Sequence, residues 1–124
     1  MNQKKVVLAI DDNLQQLSEF KSMLTPQYDL RVVKSASEAI AFLIRNTPDV
    51  ILLDIEMPNI SGFEFLGDLK KIPTYINTPI IIVSGNTSAE FMSEAKSKNV
   101  FDVLIKPVVP DVLISVIEKA INPV

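Results

Sequence analysis

Five short apolar runs, each followed by a longer stretch of helical period, constrain this chain more than any other feature. The runs are Val6 to Ile10, Leu30 to Val33, Val50 to Leu53, Ile80 to Val83, and Val103 to Ile105. Four of them carry no polar residue, the pattern of strands covered on both faces in a parallel sheet. The second is entered at Asp29 and interrupted by Arg31, which suits an edge.

Between the runs, apolar residues recur three and four apart. They are Leu14, Leu17, Phe20 and Leu24; then Ala36, Ala39, Ile40 and Leu43; then Phe63, Leu66 and Leu69; and last Leu113, Val116, Ile117, Ala120 and Ile121. Ser35 with Glu38, Ser61 with Glu64, and Thr87 with Glu90 have the spacing of capping boxes, which satisfy free amides in a first helical turn. Pro26, Pro48 and Pro79 punctuate the junctions. Five strand-helix units predict an α/β, doubly wound, five-stranded parallel sheet with five helices, in the flavodoxin-like order 2-1-3-4-5. The 124 residues suit one domain over 1–124, with no second folded unit or output module expected.

Composition removes several classes of function. With 12 Lys+Arg against 15 Asp+Glu the net charge is −3, a poor electrostatic footprint for nucleic acid or an anionic membrane surface. Without Cys or His the chain has no thiol chemistry, no disulfide and no imidazole base, so any metal must be a hard ion bound through oxygen. The apolar run at Val6 is too short for a signal sequence or membrane span, and a cytoplasmic location is expected.

In such sheets ligands bind beyond the carboxyl ends of the strands, beside the switch point of strand order. Asp11 and Asp12 follow the first run and Asp54 follows the third, on strands that the expected order makes neighbours. Two carboxylates about 4 Å apart repel by roughly 4 kcal/mol at an effective dielectric of 20, so such a trio calls for a cation or for raised pKa values. Mg2+, or Mn2+ in its place, answers the first need and takes phosphate oxygens as further ligands. Ser84 follows the fourth run and Lys106 the fifth. An Asp-Asp pair is also an ordinary helix cap, and Ser84-Gly85 an ordinary loop. What raises the set above that reading is the delivery, by four segments to one edge, of a carboxylate nucleophile, acidic metal ligands, a hydroxyl and an ammonium, the parts that phosphoryl transfer needs.

With Asp11-Asp12, the stretch Asp54-Ile55-Glu56-Met57-Pro58-Asn59-Ile60-Ser61-Gly62, Ser84 and Lys106-Pro107 in order and spacing, the chain resembles the response-regulator receiver family from Lys5 to Ile121. The resemblance implies that Asp54 is the phosphoacceptor and that Asp12 binds Mg2+ directly, with Asp11 acting through water or from behind. It also implies that the Glu56 main-chain carbonyl completes the metal shell, that Ser84 and Lys106 contact the phosphoryl group, and that the Lys106-Pro107 bond is cis. A histidine kinase or phosphotransfer protein would be the donor. Output would pass to a downstream protein or a symmetric dimer through the fourth helix, fifth strand and fifth helix, the chain catalysing only its own modification. Glu56 and Asn86 are expected to set the phosphoryl lifetime.

One departure stands out: the family usually has Tyr or Phe three residues before the Lys, and here it is Val103. Phe101 lies two residues earlier, and Val103 with Phe91, Met92 and Ile114 is expected to form an exposed apolar patch for a partner. Two rivals fit less well. A haloacid-dehalogenase-type phosphohydrolase carries a second Asp two residues beyond its first-strand nucleophile, where this chain has Asn13, and usually needs a cap insertion. A flavodoxin-like electron carrier has a hydroxyl-rich first loop, and here that loop is acidic.

Overall fold

The computed structural model describes residues 3–57 and 61–122; Pro58, Asn59 and Ile60 of the motif stretch lie outside the described residues. The strands are β1 (Val6–Ile10), β2 (Asp29–Val33), β3 (Val50–Leu53), β4 (Ile80–Ser84) and β5 (Asp102–Ile105). They pair in parallel in the order β2-β1-β3-β4-β5, the order expected. The helices are α1 (Leu14–Leu24), α2 (Ala36–Arg45), α3 (Gly62–Lys70), α4 (Ala89–Ser97) and α5 (Pro110–Ile121), and a short 3-10 turn, Pro73–Tyr75, precedes β4.

Successive side chains of a strand point to opposite faces, so an unbroken apolar run feeds two cores at once. Leu8, Ile10, Ile51, Leu53, Ile80 and Ile82 pack with Ala39, Leu43, Phe65, Leu66, Leu69 and Phe91 of α2, α3 and α4. Val7, Ala9, Val50, Leu52, Ile81 and Val83 pack with Leu17, Phe20, Leu24, Leu113 and Ile117 of α1 and α5. Burying one such Leu or Ile contributes about 1.5–3 kcal/mol, which is why a polar residue is absent from the three central strands until their carboxyl ends.

Several expectations need correction. β5 is not covered on both faces: in this order it is the second edge, its residues are half-buried or exposed, and it pairs with β4 alone. Leu14 does not join the buried stripe of α1 but is 65% exposed, and Ile40 on α2 is 50% exposed. Gln16 is buried on α1 instead, and its N–H donates to Oδ1 of Asn13, which caps the helix. At α4 the cap is Ser88, not Thr87: Ser88 Oγ accepts the Phe91 N–H at 3.2 Å, after a turn in which Asn86 Oδ1 accepts the Ser88 N–H at 2.9 Å. Ser35 caps α2 as expected, and the Glu38 carboxylate returns to the Lys34 N–H at 2.9 Å. Ser61 caps α3 through the Glu64 N–H.

Gly62, the first residue of α3, lies so close to the preceding loop that a Cβ there would stand 2.5 Å from both Cα and O of Ile55. Only glycine lets the first turn of α3 press on the segment that follows Asp54.

Candidate functional site

The site residues stand at or just past strand ends, where the last ladder hydrogen bonds hold their backbones. The Asp11 N–H donates to Val33 O at 3.2 Å, Asp54 N–H to Ile10 O at 2.9 Å, and Lys106 N–H to Ser84 O at 2.8 Å. Each side chain therefore leaves a rigid sheet edge, and the parallel register carries them to one place. Asp11, Asp54 and Ser84 are buried, at 1%, 6% and 0% exposure, while Asp12 is exposed.

Asp11, Asp12 and Asp54 each offer a carboxylate oxygen within 4.8 Å of the others, a donor set that suits a hard divalent cation. The Glu56 carboxylate is not among these three. Lys106 Nζ donates to Asp11 Oδ2 at 2.9 Å and lies 3.5 Å from Asp54 Oδ2. The remaining carboxylate oxygens are held by backbone amides: Asp11 Oδ1 accepts the Asn13 N–H at 2.9 Å and Asp54 Oδ1 the Glu56 N–H at 3.0 Å. Burial raises the Asp54 pKa to about 6, with the Asp11 charge adding to the rise and the Glu56 amide and Lys106 opposing it. For Lys106 burial acts to lower the pKa, but hydrogen bonding and charge from Asp11 and Asp54 outweigh it and the net shift is upward.

Ser84 reaches the edge from the other side, and its hydroxyl is engaged there: Ser84 Oγ donates to Glu56 Oε1 at 3.1 Å and accepts the Asn86 N–H at 3.1 Å. Asn86 Nδ2 donates to Glu56 Oε2 at 3.3 Å. The sequence reading gave Glu56 a main-chain role toward the metal and, with Asn86, a part in the phosphoryl lifetime, each standing two residues beyond a site residue; it did not foresee that the Glu56 carboxylate is tied to Ser84 and Asn86. The Lys106-Pro107 peptide is cis, in line with the resemblance, and so is Thr25-Pro26.

The expected apolar patch does not form. Phe91 is buried, with its ring centroid 5.6 Å from that of Phe63, while Met92 and Val103 are half-buried against the same core and Ile114 against the other. Phe101 lies one residue before β5 and is exposed.

The fold and this edge define a class, and sequence comparison agrees: the response regulator receiver domain family matches residues 7–118. The chain belongs to that family, the phosphoacceptor domains of two-component signalling. It is 30% identical over 123 residues to the hydrogenase transcriptional regulatory protein HoxA of Cupriavidus necator, covering 98% of this chain and 25% of that protein. It is 32% identical to the luminescence regulatory protein LuxO of Vibrio campbellii, covering 91% of this chain and 25% of that protein. The chain thus spans about a quarter of the length of these relatives. The structure of the Vibrio cholerae chemotaxis protein CheY4 superposes with a TM-score of 0.87 at 28% identity, covering 95% of this chain and 99% of that one. No helix among the described residues is long and apolar enough to cross a membrane.

Proposed function

We propose that this chain is a phosphorylation switch in which Asp54 takes a phosphoryl group from a phosphohistidine of a histidine kinase or phosphotransfer protein. The observation that carries the reading is the buried Asp54 carboxylate, which shares the Lys106 ammonium with Asp11 and has an oxygen within 4.8 Å of one from each of Asp11 and Asp12. An Asp54 oxygen forms the new bond to phosphorus as the bond from phosphorus to the imidazole nitrogen breaks, leaving an acyl phosphate and a free histidine. Lys106 balances charge on the phosphoryl oxygens, and Ser84 donates its hydroxyl to one of them. Asp11, Asp12, Asp54 and the Glu56 carbonyl would hold Mg2+ or Mn2+, which when bound supplies positive charge at the transferring group. The residues fit such an ion by chemistry, since all the donors are hard oxygens and the ammonium of Lys106 offsets only part of the charge of three carboxylates.

The chain acts on no substrate but its own donor, in the cytoplasm, and passes the signal to a downstream protein or a second copy through the face of α4, β5 and α5. Phosphorylation adds a charge of about −1.5 to −2 and three acceptor oxygens at Asp54, enough to re-set the neighbouring loops. Intact mass after incubation with acetyl phosphate and Mg2+ tests the proposal. One phosphoryl mass should appear in the wild type and be absent in Asp54→Asn or with chelator. Uptake by the Asn variant, or uptake indifferent to chelator, would overturn it.

A further inference from the structure

The Glu56 side chain bridges two loops that the switch must separate. It leaves the segment after β3, where the Glu56 N–H already holds Asp54, and reaches the segment after β4, where it accepts from both Ser84 Oγ and Asn86 Nδ2. From there the connection continues into a helix, because Asn86 Oδ1 accepts the Ser88 N–H and Ser88 caps α4. A serine hydroxyl has one proton to donate. While Ser84 gives that proton to Glu56, it has none for a phosphoryl oxygen on Asp54.

We propose that Glu56 is a positioning residue that latches the unphosphorylated state, its carboxylate holding the Ser84 hydroxyl and the Asn86 amide until a phosphoryl group on Asp54 replaces it as the acceptor for Ser84. The inference rests on the phosphoacceptor reading and adds to it a competitor inside the chain. Exchange of acceptors frees the carboxylate, and the phosphoryl charge two residues away repels it from its former position. The bridge to Asn86 then opens, and the turn that sets the start of α4 is released. The route from phosphate to helix thus runs through an acidic side chain on the surface, and needs no ring at position 103.

A double-mutant cycle read by binding of beryllofluoride with Mg2+ tests the latch, followed through the amide signals of residues 84–88. Substituting the side chain leaves the Glu56 main-chain carbonyl in place. Glu56→Ala should tighten beryllofluoride binding by several-fold to about tenfold, as expected when a charge-assisted hydrogen bond that competes with the ligand is removed at a partly exposed site. In a Ser84→Ala background the same substitution should change the affinity by less than about twofold. Without metal or beryllofluoride, Glu56→Ala should also speed amide exchange at Asn86 and Ser88 while Leu52 and Ile81 keep their protection. Equal gains in both backgrounds would mean that Glu56 acts through long-range charge, and no gain at all would mean that it holds nothing; either overturns the latch. Failure of the wild type itself to bind beryllofluoride would instead overturn the phosphoacceptor reading beneath it.

Discussion

Lys106 Nζ lies closer to Asp11, at 2.9 Å, than to Asp54, at 3.5 Å. This ammonium is shared between two buried carboxylates and leans toward Asp11, not toward Asp54, the proposed phosphoacceptor. Removing one partner of a buried charge pair costs more than the pair itself contributes, because the other charge is left uncompensated. Lys106→Ala should therefore lower the stability of the metal-free protein at pH 7 by about 2 kcal/mol. Much of this should return with Mg2+, whose affinity should not fall. Urea unfolding with and without Mg2+ checks this; a loss that Mg2+ does not repair would place the effect in packing of the lysine stem.

Asp54 gives a pH dependence of the opposite kind to that of most carboxylates. Its folded pKa, about 6, stands above the 3.8 of a free aspartate side chain, so the folded state binds the proton more tightly than the unfolded chain. The resulting stabilisation is complete below about pH 4 and lost as pH rises through about 6. Near pH 7 the ionised group destabilises the metal-free fold. Asp54→Asn should raise the metal-free midpoint of thermal unfolding by several degrees at pH 7 and by much less at pH 4.5. An equal rise at both values would show that ionisation is not the cause.

Gly62→Ala should destabilise the protein by about 1–3 kcal/mol, because the added methyl meets Ile55 backbone atoms that cannot give way like a flexible side chain. The movement should be felt at Glu56, the next residue, whose amide holds Asp54. Shifted amide signals at Ile55 and Glu56 together with a lowered unfolding midpoint are the expected result. A loss of stability with those signals unmoved would place the strain elsewhere in α3.

Ser84→Ala and Lys106→Ala should both leave Mg2+ binding by the three aspartates largely intact while weakening the response to phosphorylation. Calorimetric Mg2+ titration measures the first and beryllofluoride-induced amide shifts the second. A tenfold or greater loss of Mg2+ affinity in either variant would count against roles at the phosphoryl group.

Val103 is β-branched, half-buried and paired with Ile82, so it has few χ1 wells and no lever arm. On addition of beryllofluoride, the largest amide shifts beyond the site should fall in residues 86–97, with smaller ones in Asp102–Ile105. A pattern centred on β5 instead would require a different route of coupling.

The sequence by itself determined the strand runs, their order and the set of chemical groups at the carboxyl edge. Unbroken apolar runs can be satisfied only between two layers of helices, and a polar residue that ends such a run has nowhere to go but the sheet's rim. It also announced the caps at Ser35 and Ser61, which depend on partners three residues away. The tertiary structure decided the rest. The exposure of β5 and Leu14 follows from which neighbours a strand or helix turn meets after packing, and the Asn86 turn moved the start of α4 by one residue. The lean of Lys106 toward Asp11, 95 positions away, and the reach of Glu56 to Ser84, 28 positions away, depend on side-chain length and strand register acting together. Periodicity reports the face on which a residue lies; only the folded register decides which of several charges on that face stands within hydrogen-bond reach.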